Sequence, residues 1–330
     1  MSSGPSVAVV GGTGFVGRNI SDAFVTDFRT SFSRVRILTR DATTPKAQGL
    51  AYEGAELFQV NEDDVHNSLD EAFADIDVIV NTLPSTVSDR VNYAVLQAVA
   101  RSRAKVYFLS EFEADHRHLN FPGIENIEWL RRQALAREVR RSFRGKVIAL
   151  YTSLFFELAM AHPVPRVSFT SLRDIGRAVA RLAILSTNTD SACVPDDVRI
   201  AGGTVTFEDV RDIVARVRGL PPARIRTEDL RERRRMLRMP GVPFPEFGGD
   251  GGGKLDLEAA NDNELVNPGG TMWKWRSVED YVRGSRNGCP PPPPELVSQA
   301  SASYLTNRRL AMTIKPADNA RIAPEARTGT

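Results

Sequence analysis

Residues able to do chemistry gather at four places in the first half of this chain. The first is VAVVGGTGFVGRNI, Val7 to Ile20, where an apolar run stops at a glycine cluster and a helix-compatible run follows. Gly11, Gly14 and Gly17 form GxxGxxG, and Gly12, Gly14 and Gly17 form GxGxxG. A sharp strand-to-helix turn, a backbone approaching a pyrophosphate and a helix packed close to a sheet each exclude a side chain. The free N–H groups at the helix N-terminus then attract the phosphates. Following the first strand, opening the first helix and starting a βαβ unit, the glycines point to a dinucleotide. The second place is RILTRDATTPKAQ, at the end of the second strand. An acidic residue there suits the ribose hydroxyls of NAD, whereas Arg40, with Lys46 nearby, suits the 2′-phosphate of NADP by charge and forked donors. The residues favour NADP; in the other reading Arg40 is solvated and Asp41 takes the ribose.

The third place is EADHRH, with Asp115, His116 and His118 beyond a predicted strand. Ligands bind in loops at the carboxyl ends of parallel strands, and imidazole titrates near neutrality. His116 or His118 is therefore a candidate proton donor, set against a solvated loop histidine. Two histidines and an aspartate lack a third placed ligand for a metal, and no metal is expected. The fourth place is YTSLFFEL, where Tyr151, Phe155 and Phe156 suit a flat aromatic ligand or ordinary core packing. Between these lies a helix carrying Arg131, Arg132, Arg137, Arg140, Arg141 and Arg144, interrupted by Glu128 and Glu138. One or two of these arginines facing a cleft, with the rest in solvent, fits better than a nucleic-acid face. There is no GxSxG elbow, and none of Tyr52, Tyr93, Tyr107, Tyr151, Tyr281 and Tyr304 has lysine four residues on.

These groups need a scaffold, and the hydrophobic pattern supplies one. Short β-rich runs fall at Val7–Val10, Arg34–Thr39, Ala55–Gln59, Val78–Asn81, Val106–Leu109 and Val147–Tyr151. Amphipathic stretches at Gly14–Phe28, Ser68–Ala74, Ser88–Arg103 and Ile127–Arg141 lie between them. Strands alternating with helices predict an α/β, Rossmann-type doubly wound parallel sheet over residues 1–157. Residues 158–289 read as a smaller, mainly helical substrate domain, some segments of which can return to the sheet. FTSLRDIGRAVARLAI, TFEDVRDIVARVRGL and TEDLRERRRML are its helices, and MPGVPFPEFGGDGGGK is a loop. Residues 290–330 read as a proline-rich linker and tail. The formal charge is +2, 42% of the residues are hydrophobic, and the two cysteines are far apart. That balance excludes a global nucleic-acid field and a disulfide framework. With no signal-peptide start and no membrane-length apolar run, a cytoplasmic protein is expected, the nucleus remaining open.

GGTGFVG, LTR, VNTLPS and YFLSEFEAD resemble the NmrA-like and isoflavone-reductase-like branch of atypical short-chain dehydrogenases. SFTSLRDIGRAVA and NDNELVNPGGTMWKWRSVEDYV resemble later parts of its fungal-type members, so the likeness spans roughly residues 6 to 289. The resemblance implies an NADP-binding Rossmann domain, a small C-terminal substrate domain and a cleft between them. It implies that Gly11, Gly14 and Gly17 hold the pyrophosphate, with Thr13, Phe15 and Val16 lining that loop. Arg40 and Lys46 would meet the 2′-phosphate; Thr82, Leu83 and Pro84 would run along the adenosine and nicotinamide ribose. Ser110, Glu111 and Phe112 would flank the nicotinamide. Reductases of the family pass hydride from NADPH to an aromatic natural product and carry a catalytic lysine at the start of the helix after SEF. Here no lysine lies between Lys105 and Lys146, and Arg131, Arg132 or Gln133 takes that place. Arginine is a poor proton carrier, although it can polarise or orient a substrate. Three functions are therefore expected as alternatives. One is an NADPH-dependent reductase of an aromatic or polyketide-like molecule in secondary metabolism, monomeric or homodimeric. Another is a non-catalytic NADP-sensing regulator partnered by a transcription factor, and the third is a non-redox isomerase or dehydratase.

Overall fold

The computed structural model describes residues 4–84, 86–118, 127–156, 166–188, 191–223 and 256–284. Strands β1 (Ser6–Val10), β2 (Arg34–Thr39), β3 (Glu56–Gln59), β4 (Val78–Asn81), β5 (Val106–Phe108) and β6 (Lys146–Tyr151) lie where the apolar runs predict them. With β9 (Asp197–Arg199) they form a seven-stranded sheet of order β3-β2-β1-β4-β5-β6-β9, and all its ladders are parallel. The order reverses between β1 and β4, the place where doubly wound sheets open a ligand crevice.

The helices are α1 (Phe15–Asp22, continued by a π turn at Ala23–Asp27), α2 (Pro45–Tyr52), α3 (Val65–Ala72), α4 (Asp89–Arg101), α5 (Ile127–Ser142) and α6 (Leu172–Thr187). Successive strand residues face opposite sides. Val7, Val9, Val80, Phe108 and Ile148 pack with Ile20 and Phe24 from α1 and Ile175, Val179 and Leu182 from α6. Ala8, Val10, Ile79, Tyr107 and Ala149 pack with Leu69, Val95, Val99 and Val139 from α3, α4 and α5. Burial on both faces is why the strands are continuous apolar runs rather than alternating ones.

The later half is mainly helical, with α7 (Phe207–Arg218), a short α8 (Asn263–Val266) and α9 (Val278–Gly284), but it also holds strands the sequence reading passed over. β9 joins the main sheet. β10 (Gly203–Thr206), β8 (Arg166–Thr170) and β7 (Leu154–Phe155) make a small second sheet, β8 antiparallel to β10 and parallel to β7. Phe156, Phe169, Tyr281 and Val282 form its core with Val210 and Ile213. Thr206 caps α7 through a reciprocal pair with Asp209, and Gly219 ends it in the left-handed conformation. The third helix read from the sequence, the glycine–proline loop after it and the 290–330 tail lie outside the described residues.

Candidate functional site

The crevice at the β1–β4 switch point begins with the glycine loop. Gly11 turns the chain at φ +75°, a conformation that disfavours any Cβ. A Cβ on Gly17 would lie 2.2 Å from the Gly11 carbonyl oxygen and 2.5 Å from Thr82 Oγ1, so α1 starts hard against the sheet edge. Gly12 is closed off by Ile37 and Ser21, each 2.8 Å from its would-be Cβ. Gly14 differs: it is exposed, and its Cβ would meet only the Gly11 oxygen at 3.1 Å. As N-cap of α1 it offers no side-chain cap, and no acidic residue occupies the first turn. The orphan N–H groups of that turn thus face a cradle that a side chain at Gly14 would fill, which is the geometry a diphosphate needs. Thr13, Phe15 and Val16 are partly exposed beside it. Thr82 donates through Oγ1 to the Val10 carbonyl at 2.7 Å, tying the β4 exit to the same turn.

At the end of β2, Arg40, Asp41 and Lys46 are exposed. Asp41 turns inward on its own loop, its Oδ1 accepting from Thr43 N at 2.8 Å and Thr43 Oγ1 at 2.6 Å. Those bonds hold its carboxyl below the ordinary range. Arg18, one residue past the last loop glycine, reaches across from α1, its Nη1 donating to the Lys46 carbonyl at 2.5 Å. It adds a guanidinium to this end of the crevice that the sequence reading did not single out. The signal was its place directly after Gly17.

The loop after β5 is pinned from several sides. Ser110 Oγ donates to the Leu83 carbonyl at 2.7 Å, and Arg132 Nη1 donates to the Ser110 carbonyl. Phe112 is buried in the core on the α1 and α6 side. Glu111 and His116 are both buried and meet at 2.9 Å between Oε2 and Nε2. Gln133 reaches the other ring nitrogen of His116 at 3.3 Å, Trp129 stacks on the ring and Tyr151 meets it edge-on. Arg132 lies 3.9 Å from Glu111 and 3.3 Å from Glu113. Burial raises the Glu113 carboxyl above the ordinary range, against the pull of the Arg132 charge.

The remaining sequence candidates separate. His118 is exposed and joins Asp115 at 3.6 Å and Arg199 at 3.1 Å, in a cluster that fastens this loop to β9. Asp115 takes both donors of Arg117 at 2.8 Å and Arg199 at 2.7 Å. Burial works to raise its carboxyl, but those guanidiniums outweigh it and hold it low. Arg131 pairs with Asp89 across the mouth between α4 and α5, and 3.5 Å away with Glu128. Phe156 is fully buried, stacked between Phe169 and Tyr281. Tyr151 is buried under Arg117, and burial pushes its phenol up. Phe155 is the half-buried one of the three, 6.2 Å from Phe15 across the crevice. Ser153, just before it, is buried at φ +54°, a strained conformation for a residue with a Cβ.

A pocket opens beside this loop between α4 and α5. Leu83, Pro84 and Leu109 line it, with Asn81 and Tyr107 at its floor and Arg131 and Arg132 at its rim. Asn81 Nδ2 donates to Tyr107 Oη at 3.0 Å, and burial pushes that phenol up as well.

Comparison with known proteins matches this architecture. The profile of the NmrA-like family matches residues 4–142. A phenylcoumaran benzylic ether reductase from Pinus taeda is 32% identical over 120 residues, which are 35% of this chain and 38% of that protein's length. Among solved structures, one from a study of pinoresinol-lariciresinol and phenylcoumaran benzylic ether reductases superposes with TM-score 0.67 at 15% identity, covering 85% of this chain and 99% of that one. NmrA, a negative transcriptional regulator solved in complex with NADP, superposes with TM-score 0.60 at 15% identity, covering 85% of this chain and 95% of that one. The likeness to the NmrA-like family thus lies in residues 4–142, and the chain spans 38% of the length of the curated reductase it matches.

Proposed function

We propose that the chain is an NADPH-dependent reductase of an aromatic or polyketide-like small molecule of secondary metabolism. The observation that carries this reading is the glycine cradle: an uncapped helix N-terminus, open only at Gly14, at the switch point of a doubly wound sheet. Gly11, Gly12, Gly14 and Gly17 shape the loop, and the N–H groups of α1 receive the diphosphate. Arg40 and Lys46, with Arg18 beside them, meet the 2′-phosphate. The preference over NAD follows from Asp41, whose carboxylate is already spent on Thr43. Thr82, Leu83 and Pro84 guide the dinucleotide toward Ser110, Glu111 and the turn before Phe112. When bound, the dihydronicotinamide supplies hydride. Phe15 and Phe155 offer ring faces to an aromatic substrate, and Arg132 holds fixed positive charge by the Ser110 carbonyl. Reductases among the relatives support this assignment.

A second reading, a non-catalytic NADP-binding regulator, draws on the absence of lysine between Lys105 and Lys146, where Arg131, Arg132 or Gln133 takes the place the family's reductases give to lysine, and on Arg132 being already engaged by Ser110, Glu111 and Glu113. The regulator among the structural relatives keeps this reading in play. Calorimetric titration with NADPH and NADH tests both. Tight NADPH and weak NADH binding is expected, followed by NADPH oxidation with an aromatic ketone or enone. Binding of neither dinucleotide refutes both readings. Binding with no turnover across such a panel, together with copurification of a transcription factor, favours the regulator.

A further inference from the structure

The loop after β5 carries more protonatable groups than hydride transfer has so far been given work for. Glu111, Glu113 and His116 bring two carboxylate oxygens and an imidazole nitrogen within 4.8 Å of one another. Building on the reductase reading, we infer that Glu113 delivers the proton to the reduced substrate and that the Glu111–His116 pair reloads it.

Access and partners decide among the candidates. The His116 side chain is 1% exposed, covered by Trp129, with both ring nitrogens engaged by Glu111 and Gln133. It can hold a proton but cannot touch a substrate. His118 is drawn off to Asp115 and Arg199. Arg132 keeps its proton at any physiological pH. Tyr151 is buried edge-on to His116. Glu113 is the intermediate case: its side chain is 23% exposed, yet Oε1 is buried and accepts no hydrogen bond. Its own carbonyl accepts from Thr152 N at 3.0 Å. Its backbone is thereby tied to the segment that leads to Phe155, the ring the reductase reading gives to the substrate.

The electrostatics agree with that geometry. Glu111 and His116 face Glu113 from its own loop, Glu128 and Arg132 from α5, and Tyr151 lies beyond His116 on β6. Burial and the neighbouring Glu111 favour the neutral acid, and Arg132 tempers them, so the carboxyl is biased toward carrying a proton. A divalent ion at the same three residues would have to displace the Arg132 guanidinium, 3.9 Å from Glu111 and 3.3 Å from Glu113.

In the step, hydride from the reduced dinucleotide forms a C–H bond at the substrate carbon and breaks the C=O or conjugated C=C π bond. The displaced electron pair takes the Glu113 proton, giving the alcohol or saturated product and the oxidised dinucleotide. The carboxylate left on Glu113 is held by Arg132, 3.3 Å away, until the Glu111–His116 pair, within 4.8 Å, returns a proton to it.

Carboxyl titration of the full chain labelled with carbon-13 at glutamate, without dinucleotide, tests the proton-holding claim directly. The resonance lost in Glu113→Gln is expected to titrate above the ordinary glutamate range, and to move further up when His116→Gln removes the adjoining imidazole, whose charge pulls it down. For turnover, Glu113→Gln should lower kcat by roughly 100-fold, Glu113→Asp should restore about a tenth of it, and NADPH affinity should stay within about threefold. Titration in the ordinary range, or a Glu113→Gln enzyme with full kcat and an unchanged alkaline limb, overturns the inference. Failure of the unmutated chain to bind NADPH overturns the reductase reading instead, since the titration needs no dinucleotide.

Discussion

Replacing Gly14 by aspartate should strengthen the fold and abolish dinucleotide binding together. Gly14 is the N-cap of α1 at φ −73°, ψ −178°, a conformation that aspartate adopts freely, and it now provides no capping oxygen. An aspartate there would accept from an orphan N–H and place negative charge at the positive helix end, worth about 0.3–1 kcal/mol. Loss of glycine's freedom in the unfolded chain adds about 0.4–1 kcal/mol. Against this, the Gly11 oxygen, 3.1 Å from the new Cβ, must shift by a few tenths of an ångström. The net gain is roughly 1 kcal/mol, or about 2 °C in Tm for a chain of this size. The same carboxylate would stand where the reductase reading places the diphosphate, and like charges in contact cost several kcal/mol, so Kd for NADPH should rise by more than about 100-fold. Thermal unfolding and calorimetry on one preparation check both halves. Gly17→Ala is the contrasting control: its Cβ would sit 2.2 Å from the Gly11 oxygen, so it should lose about 1–3 kcal/mol of stability. An aspartate variant that is stable and binds NADPH within about threefold of the parent would refute the phosphate assignment for this helix end.

Arg40→Ala should weaken NADPH by about 10-fold or more, the worth of a charged hydrogen bond, while leaving NADH nearly unchanged; calorimetry with both reads the difference, and equal losses remove Arg40 from the 2′-phosphate. Asp115→Ala leaves Arg117 and Arg199 without their buried partner and should cost roughly 3 kcal/mol in urea unfolding. Because the folded Asp115 carboxyl is held low, its contribution is complete above the unfolded-state range and disappears as the pH falls. The gap between parent and Asp115→Asn should therefore shrink between about pH 7 and about pH 3. Ser153→Val puts a β-branched side chain at φ +54° in a buried turn and should destabilise by about 2 kcal/mol, measured by thermal unfolding.

The strands of the first half were legible because a strand buried on both faces is written as an unbroken apolar run. β7, β9 and β10 were not, since Leu154–Phe155, Asp197–Arg199 and Gly203–Thr206 are too short to show a period and owe their pairing to neighbours distant in the chain. α2 escaped for a related reason: only Ala47 and Leu50 of Pro45–Tyr52 are buried, and its Thr44 cap was the cue. In the site, the glycine spacing carries its geometry locally, so the loop could be read directly. The burial of His116 could not be, because EADHRH is polar apart from Ala114 and the ring is covered by Trp129 and Gln133 from the following helix. Glu113 was passed over although it stands two residues from Glu111, the spacing that lets two carboxylates of one loop share a neighbour.

Under the reductase reading, the absence of lysine between Lys105 and Lys146 acquires a physical meaning. A lysine ammonium beside a substrate combines two duties: it supplies positive charge, and it can give up a proton when burial lowers its pKa. Arginine keeps the first duty and loses the second, because its guanidinium stays charged. A site that exchanges lysine for arginine must find its proton elsewhere, or stop doing proton chemistry. In this chain Arg132 stands 3.3 Å from a carboxyl that burial biases toward its protonated form, with a buried glutamate–histidine pair behind it. A scaffold that had only to hold a dinucleotide would gain nothing from these groups. Burying three titratable side chains against one guanidinium costs stability, and that cost is more readily explained where a proton has to be delivered than where a cofactor has only to be sensed.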